Sequence, residues 1–210
     1  ISEIGYDVKA LGSKVLIVTD PGIAKAGLVD KVKKYLEEQK LEVYMWDQVE
    51  PEPSLESMEE GVKFAKEINA DCFIGLGGGS AMDTEKVINL IATYGGEILD
   101  YVAPPTGGGK RVPGPVKPHV AIPTTSGTGS ETSPASVITL PKQKLKVGVS
   151  SDLLRPTLAV LDPMMTVNCP PSVTASAGMD ALSHAIGSYT TRRFDQKTRP
   201  KTPMERPPYG

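Results

Sequence analysis

The sequence predicts an α/β protein built on a parallel sheet and followed by a helical segment, and three observations predict it. Short β-branched runs alternate with amphipathic stretches through the first hundred residues, the order that lays helices over both faces of a parallel sheet. Glycine (21 residues) and proline (19) are plentiful while aromatics make up only 5%, a balance that suits a turn-rich mixed fold better than a bundle or coiled coil. After Pro170-Pro171 the pattern changes, and one small-residue helix is expected through Tyr189.

The elements follow in order. "KVLIVTD" (Lys14–Asp20) is a buried strand that ends at the turn Asp20-Pro21-Gly22. Leu28, Val32 and Leu36 then fall at helical spacing, with lysines and glutamates on the other face. "LEVYMW" (Leu41–Trp46) is a second strand. Ser54 caps the helix that follows, with acids in its first turn and an apolar stripe of Leu55, Met58, Val62, Ala65 and Ile68. "DCFIGLGGGS" is a third strand running into glycines, and "AMDTEKVINLIATY" is its helix. From Glu97 to Pro118 a Pro/Gly-rich loop is expected. "HVAIP" forms a strand, "SVITL" and "KLKVGVS" a hairpin across "PKQ", and "TLAVLD" (Thr157–Asp162) a last strand. The final twenty residues are polar and proline-punctuated and hold no core pattern.

The bulk numbers exclude several classes. A net charge of −2 gives no basic face, so neither nucleic acid nor an anionic membrane surface is an expected partner. No apolar run approaches the ~18 residues of a membrane span, and no signal peptide opens the chain. Cys72 and Cys169 make no disulfide framework and are expected as small buried residues in a reducing, cytoplasmic setting, or in the mitochondrial matrix of a eukaryote.

Four stretches carry chemistry. In "GLGGGSAMDTEK", Gly77, Gly78 and Gly79 stand where a strand meets a helix; a phosphate can approach the backbone there and find unpaired N–H groups, with Ser80 as a cap or donor. The run is neither G-x-G-x-x-G nor a Walker loop, and a tight strand-to-helix turn is its plainer explanation. "PTTSGTGSE" sets Thr124, Thr125, Ser126, Thr128 and Ser130 among two glycines at the carboxyl end of a strand, where open α/β sheets bind ligands; a polar loop is the alternative. Asp20 ends the first strand, where a carboxylate accepts from an adenosine ribose diol and repels a 2′-phosphate, or simply opens a turn. In "AGMDALSHAIGSY", Asp180 and His184 lie one turn apart on one helix face and can converge on a cation, or on each other. His119 lacks a nearby ligand partner and reads as structural, while Lys146 either reaches a ribose or is an exposed strand lysine.

Together these motifs resemble the iron-containing (group III) alcohol dehydrogenases, in the family's order and over nearly the whole chain. "GGGSAMDTEK" is similar to the family's G-G-G-S-x-x-D-x-x-K, "PTTSGTGSE" to its second cofactor loop, and "AGMDALSHAI" to its metal helix. The resemblance implies a parallel-sheet, Rossmann-like dinucleotide-binding domain over residues 1–163 and the start of an all-helical metal-binding domain over 164–210. It implies that Gly77, Gly78, Gly79 and Ser80 hold the pyrophosphate of NAD or NADP, that Asp83 and Lys86 complete that motif, and that Thr124, Thr125 and Thr128 line the nucleotide. Lys146 would approach the nicotinamide ribose and Asp20 the adenosine ribose, which favours NAD. Asp180 and His184 would be two of four ligands to a divalent metal, Fe2+ or Zn2+.

The implied activity is hydride transfer between nicotinamide and a small-molecule alcohol or hydroxy acid, in a homo-oligomer, with no general base assigned. "VPGPVKPHVAIPTTSGTGSET", "SYTT" and the proline-rich tail resemble the hydroxyacid–oxoacid transhydrogenase branch. Two rivals remain: a sugar-phosphate cyclase of the dehydroquinate-synthase type, and a nucleotide-binding fragment without catalysis. The resemblance also implies a parent nearly twice this length, whose remaining two ligands are histidines in a C-terminal helical domain. Gly187 stands where the family commonly has Glu.

Overall fold

A computed structural model describes residues 1–193 and residue 196. The chain runs α1 (Ile4–Lys9), β1 (Lys14–Val18), α2 (Pro21–Lys25), α3 (Leu28–Glu38), β2 (Glu42–Trp46), α4 (Leu55–Glu67), β3 (Cys72–Gly77), α5 (Gly79–Tyr94), α6 (Ile98–Tyr101), β4 (His119–Pro123), β5 (Ala135–Leu140), β6 (Leu145–Ser150), β7 (Leu158–Ala159) and α7 (Pro171–Thr190). Most of the proline-punctuated tail lies outside the described residues.

Five strands form one parallel sheet in the order β2-β1-β3-β4-β7, and β5 and β6 pair separately as an antiparallel hairpin. Alternation along each strand feeds two cores. Leu16, Val18 and Phe73 face α4 and α5, together with Ile138 and Val149 of the hairpin. Val15, Ile17, Ile74, Val120 and Ile122 face Ile4 and Val8 of α1 and Val29, Val32 and Leu36 of α3. The strands are therefore covered on both faces, as their continuous apolar runs require. The strand order changes direction between β1 and β3, which opens a crevice at the carboxyl ends of those two strands.

Helix capping follows the local chemistry. Ser54 Oγ accepts from Ser57 N at 3.3 Å at the start of α4, and Met58, Val62 and Ala65 are buried beneath. Three expectations are corrected. The Asp20-Pro21-Gly22 turn is the start of α2: Asp20 Oδ1 accepts from Gly22 N at 2.8 Å and Ile23 N at 3.0 Å, with proline at the first helical position. The strand expected over Thr157–Asp162 is shorter: Leu158 and Ala159 pair with β4, flanked by bonds from Thr157 N to His119 O and Val160 N to Ala121 O at 2.9 Å, and Asp162 turns away to cap a 3₁₀ turn, accepting from Met164 N at 2.9 Å. Cys169 is half-buried, whereas Cys72 is buried as expected. Two short helices, α1 and α6, carry too little periodicity to stand out in the sequence.

The separate helix α7 runs where it is expected, through Tyr189, but none of its twenty residues is buried. Among the described residues no helix is long and apolar enough to cross a membrane.

Candidate cofactor crevice and metal half-site

The crevice is built by the strand order. β3 ends in the glycines and β4 ends in the threonines, and the two are neighbours: Gly77 pairs with Pro123, and Thr124 N donates to Gly77 O at 2.9 Å. The two loops consequently leave the sheet side by side. A Cβ built on Gly78 would lie 3.5 Å from Thr125 Oγ1, and one on Gly79 would lie 3.1 Å from Thr128 Cγ2. Gly77 has φ +149°, which a side chain would disfavour. The glycine turn and the threonine turn thus face each other across a narrow gap, tightest where Gly79 meets Thr128.

The chemistry of the gap suits a diphosphate. α5 begins at Gly79 with no side-chain cap, so its first backbone N–H groups have no helix carbonyl to bond and lie at the positive end of a sixteen-residue dipole. Thr124 Oγ1 is buried and has no hydrogen-bond partner, an orphaned group of the kind a ligand satisfies. Asp20 closes the other side: its Oδ2 would lie 3.4 Å from a Cβ on Gly77, while its Oδ1 is occupied by α2.

Other candidates sit differently from expectation. Ser80 neither caps α5 nor keeps its proton for a phosphate, because its Oγ donates to Pro51 O at 2.7 Å. Asp83 does not line the gap with a free oxygen. Its Oδ1 accepts from Ser130 Oγ at 2.5 Å and its Oδ2 from Val137 N at 2.9 Å. Lys86 is fully buried and lies 3.6 Å from Asp83. Burial moves this pair toward neutrality, Asp83 up and Lys86 down, and their mutual attraction and hydrogen bonds oppose that shift. Lys146 is exposed on β6, with Nζ 3.0 Å from Glu52 Oε1. Glu52 follows Pro51, the acceptor for Ser80, so Lys146 is tied to the rim of the crevice.

His119 is structural, as its sequence context predicts. It is buried, with Nδ1 2.8 Å from Glu85 Oε2 and Nε2 3.2 Å from Arg155 O. Its partner Glu85 is missed by sequence reasoning. Glu85 lies in the polar run Asp83-Thr84-Glu85-Lys86 of α5, and no local signal sets it apart from its neighbours.

Asp180 and His184 converge as their spacing requires, with Nε2 3.5 Å from Oδ2, both on the exposed surface of α7. One carboxylate and one imidazole suit a divalent cation, but among the described residues no group of three or more His, Cys, Asp or Glu could hold one. The pair is therefore half a ligand set. Its position is informative: a Cβ on Gly127 would fall 2.1 Å from Ala177 O. The threonine loop thus touches α7 one turn before Asp180, and Gly127 is what allows that approach.

Comparison with known proteins gives the family and the fold. The family model described as iron-containing alcohol dehydrogenase matches residues 1–163. The chain is 39% identical over 210 residues to the mitochondrial hydroxyacid-oxoacid transhydrogenase of Xenopus tropicalis, covering 99% of this chain and 45% of that protein. Among solved structures it superimposes on 1,3-propanediol oxidoreductase with a TM-score of 0.82 and 36% identity, over 90% of this chain and 48% of that one. A sulfoacetaldehyde reductase from Bifidobacterium kashiwanohense, solved in complex with NAD+, matches with a TM-score of 0.79 and 30% identity, over 90% of this chain and 49% of that one. The chain spans about half the length of the relatives it matches.

Proposed function

The chain belongs to the iron-containing alcohol dehydrogenase family, and from that premise we propose that it carries the dinucleotide-binding half of an oxidoreductase acting on an alcohol or hydroxy acid. The observation that carries this reading is the open gap between Gly78-Gly79 and Thr125–Thr128 at the head of α5. In it, the backbone N–H groups of Gly79 and Ser80 receive the pyrophosphate of NAD(P). Thr124 supplies a hydroxyl that has no other partner. Asp20 holds the adenosine ribose at the end of β1, and its carboxylate favours NAD over NADP. Lys146 can leave Glu52 for the nicotinamide ribose. On this reading residues 1–163 serve the cofactor and 164–210 the metal and substrate.

Asp180 and His184 would contribute two ligands to a divalent metal, Fe2+ or Zn2+. When bound, such an ion supplies Lewis-acid polarisation of the substrate oxygen, and the hydride chemistry belongs to the nicotinamide. The contact between Gly127 and Ala177 fixes the spacing between the nucleotide loop and the metal helix. The transhydrogenase relative names one hydroxy-acid substrate class and a mitochondrial setting; both are adopted here as the first to assay.

Fluorescence titration of the chain with NADH tests the reading directly. Saturable binding in the micromolar range, weaker for NADPH, is the expected result. No binding at millimolar NADH overturns it.

A further inference from the structure

Resting on the cofactor reading above, we propose that Lys86 is a positioning residue: with Asp83 and Ser130 it forms a buried clasp that sets the distance between the threonine loop and the head of α5.

The threonine loop is held at two ends by different means. Its first end is the sheet itself, through the pairing of Gly77 with Pro123 and the bond from Thr124 N to Gly77 O. Its second end has no sheet to hold it. There Lys86 Nζ donates to Ser130 O at 2.8 Å, Ser130 Oγ at 2.9 Å and Ala135 O at 3.0 Å. All three ammonium donors are used. Ser130 Oγ in turn donates to Asp83 Oδ1, and Val137 N donates to the second oxygen, which ties the first residues of β5 to the same carboxylate.

The clasp communicates with the gap over a short path. Ser130 N donates to Thr128 Oγ1 at 3.3 Å, and Thr128 is the residue that faces Gly79. Asp83 and Lys86 also sit on the first two turns of α5, the helix whose N-terminus is the other wall of the gap. Both walls are therefore joined through one buried network, and charge-assisted bonds in such a setting are strong and directional. A lysine is suited to this task because its three donors radiate to three acceptors that no single neutral side chain would satisfy. The cost of burying the cation is tolerated only because every donor is satisfied.

Two variants test the clasp. Ser130→Ala removes the hydroxyl that links Lys86 to Asp83 and leaves the backbone acceptors in place. Lys86→Met removes the cation. Ile138→Val, a fully buried hairpin position outside the clasp, serves as a control that destabilises the same region. Amide hydrogen exchange and NADH titration are measured on all four proteins. Exchange at residues 125–130 is expected to quicken at least tenfold in Ser130→Ala while the β3–β4 ladder keeps its protection, and NADH affinity to fall about tenfold. Ile138→Val should do neither. If Lys86→Met does not fold, Ser130→Ala decides the matter alone. Unchanged exchange in the loop, or a loss of affinity no larger than in Ile138→Val, overturns the proposal. Absence of NADH binding in the parent chain overturns the cofactor reading instead, and the loop exchange still decides whether the clasp exists.

Discussion

Residues 14–160 and helix α7 carry similar proportions of apolar residues, yet they differ in what covers them. The sheet buries its strands on both faces, and even its charged groups, Lys86, Glu85 and His119, are buried with partners. In α7, Met179, Leu182, Ile186 and Tyr189 are all exposed, Tyr189 at 91%, and Ala177 lies against Gly127 of the threonine loop. A helix draws most of its stability from packing an apolar face. The proposed cofactor crevice is thus shaped by buried elements, whereas the Asp180–His184 pair has its geometry from helix spacing alone.

The largest effect that sharpens this contrast is in the core. Phe73 of β3 is fully buried in the core beneath α4 and α5, and Phe73→Ala is expected to cost about 3–5 kcal/mol. Leu182→Ala on α7 should cost less than about 0.5 kcal/mol, the range of surface changes away from special features. Urea unfolding of both variants measures the difference. A Leu182 cost near that of Phe73 would mean that α7 is packed in solution and would break the comparison.

A second variant separates shape from stability. Gly79→Val fills the gap where a Cβ meets Thr128 at 3.1 Å. Position 79 opens a helix and has no left-handed φ, so the backbone accepts a side chain there. Folding stability should change by less than about 1 kcal/mol, while NADH affinity falls at least tenfold, about 1.4 kcal/mol. Equal affinity in the variant and the parent would detach the glycine gap from the nucleotide.

How much of this was legible in the sequence depended on the range of the interaction. β1, β3 and β4 are visible because strands covered on both faces read as unbroken apolar runs, and α4 because Ser54 and its stripe are local signals. That each of the two loops ends a strand was legible; that the strands are neighbours, so that the loops meet, is set by the sheet order. What stayed hidden were partners far apart in the chain. Nothing near Ser80 announces Pro51, and nothing near Glu85 announces His119. Ser130 is one hydroxyl among five until Lys86 and Asp83 reach it from α5. Asp20-Pro21-Gly22 was ambiguous for a different reason: the same residues open a turn and cap a helix.

A smaller effect distinguishes the two regions by pH. Burial pushes the Asp71 carboxyl up, but bonds from Lys14 N, Ser13 Oγ and Ser13 N outweigh it and hold the group below the usual aspartate range. The unfolded chain therefore binds a proton more readily than the folded one as acid is added. The stabilisation is present above the ordinary aspartate value of about 3.9 and is lost as pH falls through the lower folded value. Asp71→Asn should cost about 1 kcal/mol at pH 7, and the gap between variant and parent should narrow below about pH 4. A gap that stays constant down to pH 2 would mean that shape, not charge, is what Asp71 contributes.

The smallest effect concerns the metal pair. Asp180 and His184 are 3.5 Å apart at half-exposed positions, where an ion pair contributes between about 0 and 1 kcal/mol. His184→Ala should therefore leave the unfolding midpoint nearly unchanged. The same exposure predicts weak metal binding: a divalent ion held by one carboxylate and one imidazole keeps most of its water, and the helix gains little from it. Protein dialysed after loading with Fe2+ or Zn2+ should retain well under one ion per chain, and NADH affinity should be indifferent to the metal, since neither the sheet pairing nor the Lys86 network that holds the threonine loop includes the metal pair. A full equivalent retained after dialysis, abolished by His184→Ala, would show that further ligands complete the site and that α7 is not the open half its exposure indicates.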